Sequence, residues 1–172
     1  TIRKEKMRKV NNALVLAIGI VLFLISYKYD QQADLFFKSA NFPIFDAAFS
    51  IITNFGVVVL IMLGIPSLIL CKKNKQLVYL LISAFLASIT LAFAVKLAFL
   101  RPRPIDTFTF PFTTIVNYSF PSMHAMAVFS LLPILAKYLS RQKYFWIGFG
   151  IFAAFSRIYL GFHYLSDVVF GA

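Results

Sequence analysis

Six ionisable side chains lie in or beside strongly apolar stretches, where a charged group is costly and needs a partner, an aqueous cavity or a function. They include both histidines of the chain and are Lys96, Arg103, His124, Arg157, His163 and Asp167. Cations and histidines together suit a phosphoryl group, whose developing charge must be stabilised by fixed donors. The residue types therefore indicate phosphate chemistry.

The spacing of these residues favours a site built at helix ends. Ser156 and His163 are seven residues apart, and His163 and Asp167 are four apart, so helical backbone would place each pair on one side. Asp167 could then orient the His163 ring. Pro121 and Ser122 open a further predicted helix, whose unpaired amides and serine hydroxyl form a ready anion site.

Two prolines limit the helix that carries Lys96. Pro102 and Pro104 disfavour helix at the residues that precede them. The helix is therefore predicted to end before Arg103, which lies at a different depth from Lys96. Arg101 has no role in this pattern and is interpreted as an interface residue that snorkels towards water.

The segment after Pro104 receives a structural interpretation. Asp106 is interpreted as a loop residue. The alternation of Phe108, Phe110 and Phe112 is interpreted as interfacial packing, with a lid that contacts lipid as the functional alternative.

The composition is that of a membrane protein: 60% of residues are hydrophobic, 13% are charged and the mean hydropathy is +0.83. The formal net charge of +11 does not indicate nucleic-acid binding, because the 17 lysines and arginines cluster between apolar runs and form no basic domain. Cys71 is the only cysteine among these 172 residues, which excludes a disulfide within them and a paired-cysteine zinc site.

Five apolar segments reach or approach the roughly 20 residues that cross a hydrocarbon core. They cover residues 10–27, 47–71, 77–100, 121–139 and 144–162, and a sixth begins near Leu165. The predicted fold is an all-α polytopic membrane helix bundle, with five complete transmembrane helices and the start of a sixth in one domain over residues 1–172. The first segment is interpreted as a retained helix, since no small-residue cleavage site follows it.

Basic residues set the predicted orientation, because short cytoplasmic loops retain lysine and arginine. Basic clusters at 3–9, 72–75 and 137–143 lie at alternate ends of successive segments and so share the cytoplasmic side. The six ionisable residues then gather at the opposite face. The connection 27–46 is interpreted as an amphipathic segment at the interface.

Three sequence strings carry a family resemblance: KLAFLRPRP at 96–104, PSMH at 121–124 and SRIYLGFHYLSD at 156–167. This pattern resembles the type 2 phosphatidic acid phosphatase superfamily. That family has Lys, six residues and Arg-Pro; then Pro-Ser-Gly-His; then Ser-Arg, five residues, His, three residues and Asp. Every spacing matches, and the one departure is Met123 in the position of the family glycine.

The resemblance implies a role for each matched residue. His163 would be the nucleophile that forms a phosphohistidine, Asp167 would hold its tautomer, and His124 would be the general acid and later activate water. The phosphate would be bound by Lys96, Arg103, Ser122, Met123, Ser156 and Arg157. The implied scheme requires no metal and no cofactor. Because glycine permits positive φ and close backbone approach, Met123 is expected to shape the pocket entrance.

The expected function is an integral membrane lipid phosphatase in a bacterial or archaeal cytoplasmic membrane, with its active site on the extracytoplasmic face. Its partners would be membrane lipids and a lipid phosphate of the phosphatidylglycerol phosphate, phosphatidic acid or lipid A 1-phosphate type, and no nucleic acid. An undecaprenyl diphosphate phosphatase of the same family is the nearest alternative. A transporter, channel or non-catalytic scaffold is the alternative from another class. Vanadate haloperoxidases share the motifs but are soluble. The oligomeric state is left open.

Overall fold

The computed structural model describes residues 2–40, 42–105 and 117–172, and within these ranges the chain is helical without a β-strand. Asp106, Phe108, Phe110 and Phe112, which received interpretations from the sequence, lie outside the described residues. The helices are α1 (Ile2–Lys28), α2 (Asp30–Ser39), α3 (Pro43–Ile52), α4 (Phe55–Val59), α5 (Ile65–Cys71), α6 (Lys75–Phe99), α7 (Met123–Tyr138), α8 (Lys143–Tyr159) and α9 (Leu165–Gly171). A π-helical turn, Leu60–Gly64, joins α4 to α5, and a 3-10 turn, Ser140–Gln142, precedes α8.

The helices support a membrane bundle, but only some of them are long and apolar enough to count as complete spans. In the described ranges, Asn11–Lys28 and Lys75–Phe99 are long and apolar enough to cross a membrane. The predicted span 47–71 is a bent pair, Ile44–Ile52 and Phe55–Cys71, with an angle of 51° at the break, and becomes a third crossing if the pair is one span. Helices α7 and α8 have 16 and 17 residues. The count of five complete spans therefore stays a prediction.

Side-chain caps and backbone turns fix where the site-bearing helices begin and end. Asn54 accepts a hydrogen bond from Gly56 N at 3.0 Å and starts α4, and Asn74 starts α6 in the same way. Helix α6 ends at Phe99, where Leu100 adopts a left-handed φ of 47°. The predicted end of this helix before Arg103 is confirmed.

The core lies between α6, α7 and α8 on one side and the α4–α5 segment on the other. Its buried side chains include Leu81, Val128, Leu131, Leu135 and Trp146. Helices α7 and α8 approach closely at Gly150, where an added Cβ would lie 2.8 Å from Val128 Cγ1. In contrast, α1 exposes apolar side chains around its circumference, as expected for a helix that faces lipid.

The short helices α2 and α9 close one end of this core. Gly171 brings α9 against the first turn of α7, where an added Cβ would meet Ala125 Cβ at 2.9 Å. The α2 ring of Phe37 packs edge-on against Phe155 of α8, with centroids 5.5 Å apart. This end of the bundle holds the three sequence motifs described above.

Candidate active site

His163 sits in the turn between α8 and α9, close to Asp167. Gly161 makes this turn with a φ of 69°, a left-handed value that L side chains rarely adopt. The His163 amide donates to Arg157 O at 3.1 Å, which fixes the turn to the end of α8. The His163 Nδ1 atom lies 3.5 Å from Asp167 Oδ2, and both side chains are almost fully buried. This distance exceeds that of a good hydrogen bond, but such contacts often tighten when substrate binds.

Arg103 faces the other nitrogen of the same ring. Its Nη1 atom is 3.4 Å from His163 Nε2 and donates to Phe162 O at 2.7 Å, while its Nε donates to Asn117 O at 3.1 Å. Burial lowers the pKa of Arg103 to about 10, so the guanidinium keeps its charge at neutral pH. Burial, reinforced by the positive charge of Arg103, holds the pKa of His163 well below its ordinary value. This shift favours the neutral imidazole at neutral pH, the form in which one ring nitrogen has a free lone pair.

Lys96 is fully buried at the end of α6. Its ammonium donates to two successive carbonyls, Tyr118 O at 2.5 Å and Ser119 O at 3.3 Å. These carbonyls belong to the segment that leads into α7. Lys96 thus fixes this segment beside the start of the helix that carries His124.

Helix α7 begins with a serine cap, and its role as an anion site stays a prediction. Ser122 is the N-cap residue and accepts from Ala125 N at 3.5 Å, while its own amide donates to Asp167 O at 3.1 Å. The first amides of the helix, at Met123 and His124, have no intrahelical acceptor. Leu100 is the one non-glycine residue with positive φ in the described ranges, so Met123 does not need the left-handed conformation that a glycine would allow.

A residue that the motifs did not include joins His124 to Arg157. His124 Nε2 lies 3.1 Å from Thr53 O, and Arg157 Nη1 donates to the same carbonyl at 3.1 Å and to Thr53 Oγ1 at 3.3 Å. Thr53 is fully buried at the break between α3 and α4. The His124 ring also packs edge-on against Phe55, with centroids 4.9 Å apart. The sequence signal that could have indicated this break is Asn54, which directly follows Thr53. Asparagine is a preferred residue at the start of a helix.

Arg157 has capacity left for a ligand. Its Nε atom is buried without a hydrogen-bond partner in the part of the chain that the structure describes. The guanidinium lies over the Phe162 ring, 4.5 Å from its centroid. A buried unpaired guanidinium donor is costly and suits an anionic ligand.

Ser156 is engaged by its own helix. It is fully buried, and its hydroxyl donates to Ala153 O at 2.8 Å within α8. A phosphate contact from this hydroxyl would require it to rotate. The role of Ser156 in phosphate binding therefore stays a prediction.

The interpretation of Arg101 as a snorkelling residue is wrong. Its guanidinium forms ion pairs with Asp30 and with Asp167, each at 2.8 Å. Burial alone would lower the pKa of Arg101, but the hydrogen bond and charge of Asp30 and the charge of Asp167 raise it above its ordinary value. Asp30 was not singled out from the sequence because its partners lie more than 70 residues away along the chain.

Groups of side chains that could bind a metal are absent from the described residues. Within 2–40, 42–105 and 117–172, no three histidine, cysteine, aspartate or glutamate side chains come together in a way that could hold a metal ion. Metal independence of the reaction is a separate matter and stays a prediction.

The fold and the convergence of three motifs define a class of protein: a helical membrane protein in which histidine, arginine and aspartate side chains meet in a buried cluster. The family model of the PAP2 superfamily matches residues 76–172, more than half of the chain. The chain belongs to the PAP2 superfamily, and the resemblance inferred from the sequence is confirmed.

A solved structure shares the fold. It is described as the crystal structure of the first transmembrane PAP2 type phosphatidylglycerolphosphate phosphatase from Bacillus subtilis. The TM-score is 0.62 at 22% sequence identity, over 90% of this chain and 87% of the other. No curated protein matches the sequence significantly. Family and fold together support a membrane lipid phosphatase as the general class.

Proposed function

We propose that this protein hydrolyses a lipid phosphate monoester or diphosphate through a phosphohistidine at His163. The observation that carries the proposal is the position of the His163 ring, which has Asp167 at Nδ1 and Arg103 at Nε2. A carboxylate at Nδ1 fixes the tautomer in which Nε2 has the lone pair. The arginine beside Nε2 brings a phosphoryl oxygen to the same place.

The first step forms the phosphoenzyme. Neutral His163 Nε2 attacks phosphorus, the P–N bond forms and the P–O bond to the lipid breaks in line with it. His124, protonated on both ring nitrogens, gives the Nδ1 proton to the leaving lipid oxygen and becomes neutral. Because a carbonyl can only accept, the hydrogen bond to Thr53 O occupies Nε2–H of His124 and leaves Nδ1 for the substrate.

The second step releases inorganic phosphate. His124, now neutral, takes a proton from water as that water attacks phosphorus. The P–N bond breaks, its electron pair returns to His163 Nε2 and His124 holds the proton for the next turnover. Both steps develop charge on the same phosphoryl oxygens, which Arg103, Arg157 and the first amides of α7 stabilise.

The substrate enters this proposal as a class. Phosphatidylglycerol phosphate, phosphatidic acid, lipid A 1-phosphate and undecaprenyl diphosphate all present a phosphate at the interface while the tail stays in lipid. The basic clusters at 3–9, 72–75 and 137–143 support a site that faces the extracytoplasmic side of a cytoplasmic membrane. We expect the enzyme to draw its substrate from the outer leaflet and to need no metal.

The direct test is phosphate release by purified protein over these four lipids, with EDTA and with vanadate as competitor. We expect activity on at least one lipid, retained in EDTA and inhibited by vanadate, and lost in His163→Ala. Arg141→Gln is the matched control because Arg141 is exposed and lies outside the site. Activity lost in EDTA would disprove metal independence. Equal release by wild type and His163→Ala from every lipid would favour a scaffold or transporter.

A further inference from the structure

Arg101 lies two residues before the motif arginine and links two carboxylates from distant parts of the chain. Its Nη1 donates to Asp167 Oδ1 and to Ser166 Oγ, each at 2.8 Å, and its Nη2 donates to Asp30 Oδ2 at 2.8 Å. The side chains of Asp30 and Asp167 are 5% and 0% exposed. Charge-assisted hydrogen bonds of this length to buried carboxylates hold their partners in a defined orientation.

The two oxygens of Asp167 have separate partners. Oδ1 accepts from Arg101, whereas Oδ2 accepts from Tyr164 N at 2.9 Å and faces His163 Nδ1. With both oxygens engaged, the carboxylate cannot rotate without breaking a hydrogen bond. Arg101 therefore keeps Oδ2 turned towards the histidine.

Asp30 binds both Arg101 and the start of α9. Its Oδ1 accepts from Ser166 N at 2.8 Å, and its Oδ2 accepts from Ser166 Oγ at 2.5 Å. Arg101 also lies over the ring of Tyr164, 4.1 Å from its centroid. The pair thus ties the start of α2 and the segment after α6 to the helix that bears Asp167.

The net charge of this cluster determines how strongly it stabilises a positive charge on His163. Arg101 alone would neutralise Asp167, and the histidine would lose the negative charge that stabilises its positively charged form. Asp30 shares the guanidinium, so the three groups together carry one net negative charge. A positive imidazole ring, as in the phosphohistidine, is stabilised by that remaining charge.

We propose that Asp30 and Arg101 form a positioning pair that sets the orientation and the effective charge of Asp167, and through it the tautomer and basicity of His163. The catalytic consequence of this pair rests on the proposed function. The charged and titratable groups that face His163 from the packed elements are Lys96, Arg103, His124, Arg157 and Asp167. The pair acts on the last of these only.

Substitutions of the two residues should shift the pKa of His163 in opposite directions. Arg101→Gln removes a positive charge next to Asp167, so the pKa of His163 should rise. Asp30→Asn removes a negative charge, leaves Arg101 to neutralise Asp167 and should lower that pKa. A merely structural role would not move the two values in opposite directions. Arg101→Lys keeps the charge without the fork that bridges both carboxylates, and should disturb orientation more than pKa.

Nitrogen-15 NMR of histidine-labelled protein in micelles measures the tautomer and the pKa of His163. The measurement does not require enzymatic activity. A tag-free chain has two histidines, and His124→Gln assigns them. Asp34→Asn controls for Asp30→Asn, because Asp34 is on the same helix and pairs with Lys38. Arg141→Gln controls for Arg101→Gln. We expect opposite shifts of the His163 titration in the two test variants and none in the controls.

Kinetics complete the experiment. If the proposed function holds, kcat should fall about tenfold in each test variant, the lower end of the loss seen when groups that orient a catalytic ligand are removed. Shifts in the same direction, or none in a folded variant, would overturn the pair even if the wild type is active. Opposite shifts in a protein that hydrolyses no lipid would support the pair and refute the proposed function. Should Arg101→Gln not fold, Arg101→Lys and Asp30→Asn still decide the question: an unchanged His163 tautomer and titration in both would overturn it.

Discussion

The two histidines of the site have different surroundings. His163 lies in a turn between helices, with a carboxylate at one nitrogen and a guanidinium at the other. His124 lies in the first turn of α7, and the acceptor of its side chain in the described ranges is the carbonyl of Thr53. A carboxylate adds charge as well as orientation, whereas a carbonyl adds orientation alone. The geometry therefore suits His163 to accept a positive charge and His124 to transfer a proton.

The two surroundings are also built differently. The His163 side depends on ion pairs that join α2, the segment after α6 and α9 through Asp30, Arg101 and Asp167. The His124 side depends on a helix break, because a carbonyl inside a continuous helix would be bonded to its own backbone. The break after α3 leaves Thr53 O to accept from both His124 and Arg157. Charge pairs position one histidine, and an interrupted helix positions the other.

The largest expected effect is at His163, the proposed nucleophile. His163→Ala should lower kcat by about 10³-fold or more, as expected when a covalent nucleophile is removed. Phosphate release from the preferred lipid measures the rate, and labelling with a ³²P substrate under alkaline quench measures the phosphoenzyme. Label that persists in His163→Ala would place the phosphohistidine elsewhere and remove the distinction between the two rings.

His124→Ala should have the second largest effect, and its size should depend on the leaving group. With a lipid substrate we expect a loss of about 10²–10³-fold, in the range of general acid–base catalysis. With p-nitrophenyl phosphate the loss should be much smaller, because that leaving group departs without protonation. An equal loss on both substrates would show that His124 does not act as the acid in the first step.

The motif residues could be predicted from the sequence because their chemistry depends on short spacings. His163 and Asp167 are four residues apart, and the left-handed Gly161 and the start of α9 bring their side chains to 3.5 Å. The helical class could likewise be predicted from composition. The place of Ser122 as the N-cap of α7 could be predicted because serine is a preferred capping residue and precedes an apolar run.

The supporting residues could not be predicted because they meet only in the folded bundle. Asp30 reaches Ser166 across 136 residues, and Thr53 reaches Arg157 across 104. Hydropathy also concealed the break at Thr53, since the apolar run continues on both sides of it. Arg101 was misinterpreted for the same reason: a cation at the end of an apolar helix is typical of the interface unless a buried carboxylate lies nearby.

The turn that carries His163 gives a prediction of intermediate size. Gly161→Ala should lower the free energy of unfolding by about 1–2 kcal/mol, the cost of left-handed backbone for an L-residue. An added Cβ would also lie 2.7 Å from Ile105 Cδ1. Thermal unfolding in detergent measures the change. Gly148→Ala is the control because its Cβ would meet nothing within 4 Å. Equal stability of the two variants would mean that the turn does not constrain His163.

The smallest effect is expected for a substitution at Thr53, in the helix break. This substitution distinguishes the role of the Thr53 carbonyl from the role of its hydroxyl. Thr53→Val removes the hydroxyl that Arg157 contacts at 3.3 Å and keeps the carbonyl that His124 and Arg157 share. We expect kcat/KM to fall about threefold, within the about 0.5–1.5 kcal/mol of a single hydrogen bond. The change should appear mainly in KM, since Arg157 is proposed to bind phosphate. A loss as large as that of His124→Ala, with the same dependence on leaving group, would show that the hydroxyl and not the carbonyl positions the second histidine.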